Sequence, residues 1–581
     1  LILPERQSLA PFDRHFFTAQ DRLTAIGRGS LGGKAQGLAL MRDALERKLT
    51  LSFRPEIDVA IPTLTVITTE FFDLFMEQNG LWEAALSDLR DDLLAIAFQK
   101  AELPAQLVGD LRALVLQVHA PLAVRSSSLL EDAMFEPFAS VYATKMIPNN
   151  QAEADIRFRK LTEAIKFVYA STFFKSSKNY ILATKNKTAD EKMAVIIQEV
   201  VGLRHGLRFY PHLSGVARSF NFYPLGHAKP AEGVVDLALG LGKTIVDDGI
   251  AWSYSPAYPQ ANPPYNTLED LLGQSQNEFW AINMGSPPEF DPIKETEYMA
   301  KFSLAEAEED GVLRFLASTY RAQDDKIVYG ISEKGPRVVD FAPILKFNLI
   351  PFNKMLTELL KLCQDMLETM VEVEFALTLD VDKGIPARFG FLQVRPMVVS
   401  EEKVDISLAE LAGENVLLAS ESALGNGILD SIRDIVFVKP ERFNVQHSEE
   451  IARQLERVNH RLATARRPYL LIGFGRWGTS DPQAGIPVNF GQISGAKVIA
   501  ESALPETNLM LSQGSHFFHN ITSFKVFYFS IGQDEKYGID WDWLHRQDVV
   551  GETEFIREAR LRSPLRIKVD GRTSRGVIAH D

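Results

Sequence analysis

The run Leu122-Ala123-Val124-Arg125-Ser126-Ser127-Ser128 constrains this chain more than any other stretch, because a short apolar strand carries a cation and three hydroxyls to one point. An arginine there presents a planar fork that takes phosphate oxygens in pairs, and Ser126 with its neighbours adds hydroxyl and backbone donors. By itself Arg-Ser-Ser also suits an ordinary surface loop. Two further stretches weight it towards an anion site: a glycine-rich segment ending at Lys34, and the strand-like Phe391-Leu392-Gln393-Val394-Arg395-Pro396.

The glycine segment runs Ile26-Gly27-Arg28-Gly29-Ser30-Leu31-Gly32-Gly33-Lys34-Ala35-Gln36-Gly37, with Leu38, Leu40, Met41 and Leu45 following at helical spacing. It reads as a glycine loop opening a helix, where the backbone can approach a phosphate and the helix N-terminus adds partial positive charge. A Walker A loop is excluded twice, since Arg28 stands where its first glycine belongs and Ala35 where its Ser or Thr belongs. A plain glycine turn with an exposed lysine is the alternative for this segment taken alone. Farther on, Val371-Glu372-Val373-Glu374-Phe375-Ala376-Leu377 alternates, so Glu372 and Glu374 share one strand face. Gln393 and Arg395 share a face of the next strand. The short 380–386 connection predicts that the two strands pair and that the four polar groups converge. Two carboxylates and an amide oxygen are hard donors of the kind magnesium prefers. A solvated sheet face is the bland alternative.

These motifs in this order, Gly32-Gly33-Lys34-Ala35, Arg125-Ser126-Ser127 with Glu131-Asp132, and Gln393-Val394-Arg395-Pro396, resemble the nucleotide-binding region of pyruvate phosphate dikinase and phosphoenolpyruvate synthase. The resemblance spans roughly residues 20 to 400. It implies an ATP-grasp fold binding ATP and Mg2+, with Lys34, Arg125 and Arg395 on the phosphates. It assigns magnesium to Glu374 and Gln393, with Glu372 beside them, and places Glu372 and Arg395 on the nucleotide. The strand Val195-Ile196-Ile197-Gln198-Glu199-Val200-Val201 would offer main-chain groups of Gln198, Glu199 and Val200 to the adenine ring; an edge strand with two polar side chains is the alternative. The chain departs from the family at Lys243, where a glutamate usually stands, which alters the local charge by two units.

Composition narrows the classes. With 581 residues, 46% of them hydrophobic, the chain can bury several cores, and two to four domains are expected. A formal charge of −14 argues against general nucleic-acid binding. The single cysteine, Cys363, excludes an intrachain disulfide and a cysteine-built metal site. It lies in a helical apolar stripe and reads as a core residue. No apolar run is long enough to span a membrane, so a reduced cytoplasmic setting is the expectation. The chain begins at Leu1 rather than a methionine, which leaves an upstream domain or signal open. Segments 175–192 and 256–292 read as loops.

Past residue 400 the resemblance thins. The dikinases continue with a swivelling histidine domain and a large barrel for pyruvate or phosphoenolpyruvate, and residues 401–581 are too few for a barrel of about 250. The strand Tyr469-Leu470-Leu471-Ile472 leads into Gly473-Phe474-Gly475-Arg476-Trp477-Gly478, a weak anion-loop pattern. His516 and His519, in Gln513-Gly514-Ser515-His516-Phe517-Phe518-His519, suit phosphate acceptors or a general base, and equally two polar residues at a strand edge. Arg557, Arg560, Arg562, Arg566, Lys568, Arg572 and Arg575 form a basic tail suited to an anionic partner or to a solvated face.

The expected architecture is α/β and α+β, multidomain. It comprises an ATP-grasp nucleotide-binding region over 1–400, a smaller C-terminal α/β module over 401–545, and the basic tail over 546–581. The expected activity is ATP-dependent phosphotransfer to an unassigned acceptor. A nucleotide-binding regulatory protein without transfer activity and an ADP-forming ATP-grasp ligase are the alternatives.

Overall fold

Alternating and continuous apolar runs become strands here, and 3.6-period stripes become the helices that cover them. The computed structural model describes residues 9–15, 22–128, 141–182, 187–221, 228–246, 249–261, 268–273, 275–380, 384–397, 404–479, 484–503, 526–532, 536–571 and 573–580. Two compact units result, one of Leu1–Ser177, Lys187–Ile245 and Ile250–Pro396, the other of Lys178–Asn186, Val246–Gly249 and Met397–Asp581. The protein is thus a multidomain chain of mixed α/β content.

The first unit holds two six-stranded mixed sheets. In one, the order is Ala10–Pro11, Leu23–Ile26, Leu64–Ile67, Met193–Glu199, Leu122–Ser128, Thr144–Ile147. The run Met193 to Gln198 is buried throughout, as a central strand covered on both faces must be. In the other sheet the order is Trp252–Tyr254, Val234–Leu239, Leu213–Arg218, Val371–Asp380, Ile385–Pro396, Ile57–Ala60. Helix Phe352–Leu367 lays Met355, Leu356, Leu359 and Cys363 into the core, so Cys363 is the core residue its stripe predicts. Burial raises its thiol pKa well above the usual range. Helix Gly32–Ala44 packs against Leu122–Ser128 and Ile385–Pro396, the two strands that carry the arginine motifs.

Two stretches read as loops hold regular elements. Lys175–Leu182 is a helix, and Glu278–Asn283 is a strand paired with Met299–Ser303. Polar residues throughout the helix, and the polar, proline-rich residues flanking the apolar Phe279-Trp280-Ala281-Ile282, hid both.

His212 sits between strands Arg208–Tyr210 and Leu213–Arg218 and is 3% exposed. Its Nδ1 accepts the Leu379 N–H at 3.3 Å, which requires that nitrogen unprotonated. Burial, with a smaller push from His205, takes its pKa down to about 4. Folding therefore binds fewer protons than the unfolded chain below about pH 6.5. We expect stability to be full above that pH and to fall as pH drops towards 4, by on the order of 3 kcal/mol from this one group. Urea midpoints at pH 7.5 and 5 should diverge less in His212→Gln than in the wild type; equal divergence would clear His212 of the effect.

The second unit is built on a seven-stranded sheet of order Ala423–Leu424, Phe527–Ile531, Ala496–Ser502, Tyr469–Phe474, Asp434–Val438, Ile556–Arg560, Val549–Glu552. The strands from Phe527–Ile531 to Asp434–Val438 run parallel. Helix Ser448–Thr464 connects the first two of these in sequence. A four-stranded antiparallel sheet joins Val416–Ser420, Arg575–Ala579, Arg566–Asp570 and Gly427–Leu429.

The basic tail expected over 546–581 is therefore corrected. Ile556–Arg560 pairs with Asp434–Val438, and Arg566–Asp570 pairs with Arg575–Ala579. Ile567 and Val569 point into the core while Arg566 and Lys568 alternate outward, so the charge run is the polar face of strands. Several of its cations are neutralised within the unit, Arg557 by Glu552 at 2.9 Å and Lys568 by Glu410 at 2.6 Å. Among the described residues no helix is long and apolar enough to cross a membrane.

Candidate functional site

The glycine loop reaches the arginine strand because nothing but hydrogen stands on Gly32. A β-carbon there would lie 1.7 Å from the Ser127 carbonyl oxygen, and its φ of +74° lies in the region that favours glycine. The approach is fixed by side chains. Ser127 Oγ donates to the Leu31 carbonyl at 2.8 Å and accepts the Ala35 N–H at 3.1 Å. Lys34 Nζ donates to Ser126 Oγ at 3.1 Å. From the other side, Thr68 and Thr69 accept the N–H groups of Gly29 and Ser30, at 3.2 and 3.0 Å. Lys34 and Ser126 are thus brought together, and Lys34 meets this strand at Ser126 rather than at Arg125.

Arg125 reaches across to the second sheet. Its Nη1 donates to the Leu392 carbonyl at 2.9 Å and to Gln198 Oε1 at 3.3 Å; its Nη2 donates to Gln393 Oε1 at 2.8 Å and stands 3.5 Å from Glu374 Oε2. The Arg125 and Glu374 side chains are 12% and 16% exposed.

Glu372 and Glu374 lie on Val371–Asp380, opposite Arg395 and Gln393 respectively on Ile385–Pro396. The antiparallel pairing and the convergence expected from the alternation are both present. On its other edge Val371–Asp380 pairs with Leu213–Arg218, setting Arg218 opposite Glu372. A buried ladder of charge results. Arg395 Nε donates to Glu372 Oε1 at 2.7 Å, Arg218 Nε to Glu372 Oε2 at 2.6 Å, and Arg218 Nη1 to Asp236 Oδ2 at 2.7 Å. Burial works against the charge on Arg218, but Glu372 and then Asp236 more than offset it and hold the guanidinium's pKa above its ordinary value.

Three of the positions assigned by the resemblance already have partners within the protein. Glu372 is 1% exposed with both carboxylate oxygens bonded to guanidinium groups, so it holds two arginines in place. Arg395 is 2% exposed and bound to that carboxylate, with Glu374 Oε1 at 3.4 Å, which makes it part of the ladder. In the strand expected to face adenine, Glu199 N–H bonds to Thr63 O and Val200 N–H to Pro121 O, both at 2.9 Å, and Gln198 pairs with Leu64 on one side and Ala123 on the other. Met193–Glu199 is not an edge strand.

Of the two oxygen donors expected for magnesium, Glu374 is partly exposed, whereas Gln393 is 2% exposed and its Oε1 accepts from Arg125 Nη2 at 2.8 Å, so the arginine would have to release that oxygen to a metal. The 3.4 and 3.5 Å contacts of Glu374 are the longest in the cluster, so its carboxylate is the one best able to exchange partners. Among the described residues no group of three or more His, Cys, Asp or Glu side chains is arranged to hold a metal, so phosphate oxygens would have to complete the set. Arg218 and Asp236 were not foreseen as members of this cluster. Their signal was a charge inside an otherwise apolar strand, in Leu213–Arg218 and in Val234–Leu239. Lys243 opens the short helix Lys243–Val246. His516 and His519, and with them Glu131 and Asp132, lie outside the described residues.

Arg125 thus links the two mixed sheets, with a carboxylate and an amide oxygen beside it. Residues 28–414 match the family model of the pyruvate phosphate dikinase AMP/ATP-binding domain. The match covers more than half of the chain, and the chain belongs to that family. No curated protein matches it. The domain so identified is a nucleotide-binding one, and its span agrees with the stretch over which the motifs resemble the family.

Proposed function

We propose that this chain is an ATP-dependent phosphotransferase that binds Mg-ATP in an ATP-grasp cleft of its first unit. The observation that supports this most directly is the state of Arg125, partly exposed and held mainly by neutral oxygens beside Glu374 and Gln393. Phosphoryl transfer asks little covalent chemistry of a protein and depends on alignment and charge compensation. Arg125 would take two phosphate oxygens through its fork, and Lys34, anchored at Ser126, would add a point charge. Arg395 would act behind them, fixing Glu372 and the edge of Glu374. Glu374 and Gln393 would hold magnesium, which supplies charge neutralisation along the polyphosphate when bound.

The acceptor is left open, and the nucleotide product separates the readings. Incubated with ATP and magnesium, the full chain should form AMP, with water standing in for the acceptor and taking the two terminal phosphates, as dikinase-type cleavage requires. ADP as the sole nucleotide product would favour the ligase reading, and ATP recovered unchanged but bound would favour a regulatory nucleotide-binding protein.

A further inference from the structure

The three arginines of the cluster differ in what holds them. Arg218 and Arg395 are bound by the Glu372 carboxylate, and Arg218 also by Asp236. Arg125 instead bonds to three neutral oxygens, on Gln198, Leu392 and Gln393, with its carboxylate neighbour Glu374 at 3.5 Å. Its charge is the least compensated of the three.

We propose that Gln198 is a positioning residue, holding Arg125 through a neutral oxygen so that the guanidinium charge stays available to a bound polyphosphate; this rests on the nucleotide reading of the site. Gln198 is 2% exposed, and its Nε2 finds no acceptor among the described residues. Turning the amide over would set Nε2 against the Arg125 Nη1 donor, so the arginine fixes its orientation. A buried donor is thereby left unsatisfied, an arrangement that a hydrocarbon side chain in this strand would avoid. The backbone offers no other reason for a glutamine here, since Gln198 is paired on both edges in the middle of its sheet. A glutamate of the same shape would put a second carboxylate on Arg125 and cancel the charge that the phosphates need.

Calorimetry on the full chain with ATP, inorganic triphosphate and adenosine tests this in wild type, Gln198→Glu and Gln198→Met. Gln198→Glu should weaken ATP and triphosphate by about ten-fold or more while leaving adenosine unchanged, the signature of lost charge at Arg125. Gln198→Met should weaken triphosphate by a smaller factor while its thermal midpoint holds or rises, because the unsatisfied donor is gone. A purely packing role would instead lower the midpoint and spare the affinity. A folded Gln198→Glu protein that binds triphosphate like the wild type would overturn the proposal; if that variant does not fold, unchanged triphosphate affinity in Gln198→Met would do so. A wild-type chain that binds neither ATP nor triphosphate would remove the nucleotide reading itself, and the role of Gln198 with it.

Discussion

Replacing Arg125 by alanine should weaken ATP binding by roughly 10- to 150-fold, the equivalent of about 1.5 to 3 kcal/mol for hydrogen bonds to a charged group. Among the described residues of the cluster, Arg125 is held mostly by neutral acceptors while Arg218 and Arg395 are held by carboxylates, so most of the electrostatic gain of Arg125 is left for a ligand. Arg125→Lys should recover only part of the loss, since an ammonium keeps the charge but not the paired geometry. The Arg125 side chain is partly exposed, so water entering in its place can take up the acceptors on Gln198, Leu392 and Gln393. Stability should therefore change far less than affinity. Titration calorimetry with ATP, with circular dichroism to show that the variant is folded, checks this; unchanged affinity in folded Arg125→Ala would remove Arg125 from the site.

How far the site was legible follows from how local each contact is. Glu372, Glu374, Gln393 and Arg395 could be placed together because two alternating runs are joined by a short connection, which leaves antiparallel pairing as the simple outcome. The contribution of Arg218 was not legible in the same way. Its strand lies some 150 residues earlier in the chain, and only the fold decides that it pairs with Val371–Asp380. Gln198 shows a second limit. Its apolar neighbours mark a strand, but not that strands flank it on both sides. The tail shows a third. Counting cations from Arg557 onward obscured the period-two alternation of Arg566-Ile567-Lys568-Val569, which was the true signal of a strand.

The two glutamates, two residues apart on one strand face, should respond to substitution in opposite ways. Glu372 is buried between Arg395 and Arg218, and removing it leaves two guanidinium groups in the interior without their main counter-charge. Breaking a buried pair from one side costs about 3 to 5 kcal/mol, because the orphaned charge loses its partner without regaining water. Glu372→Ala should therefore lower the urea midpoint of the first unit steeply, with Glu372→Gln intermediate. Glu374 makes only the long 3.4 and 3.5 Å contacts and is partly exposed, so Glu374→Ala should cost about 1 kcal/mol of stability. Its effect belongs on the ligand side. Without the carboxylate, Arg125 loses its one anionic neighbour, so metal-free ATP should bind at least as well as to the wild type, while the gain on adding magnesium should disappear. Equal urea midpoints for the two alanine variants would mean that the ladder does not hold the sheet together, and a magnesium response retained in Glu374→Ala would mean that the metal is held elsewhere.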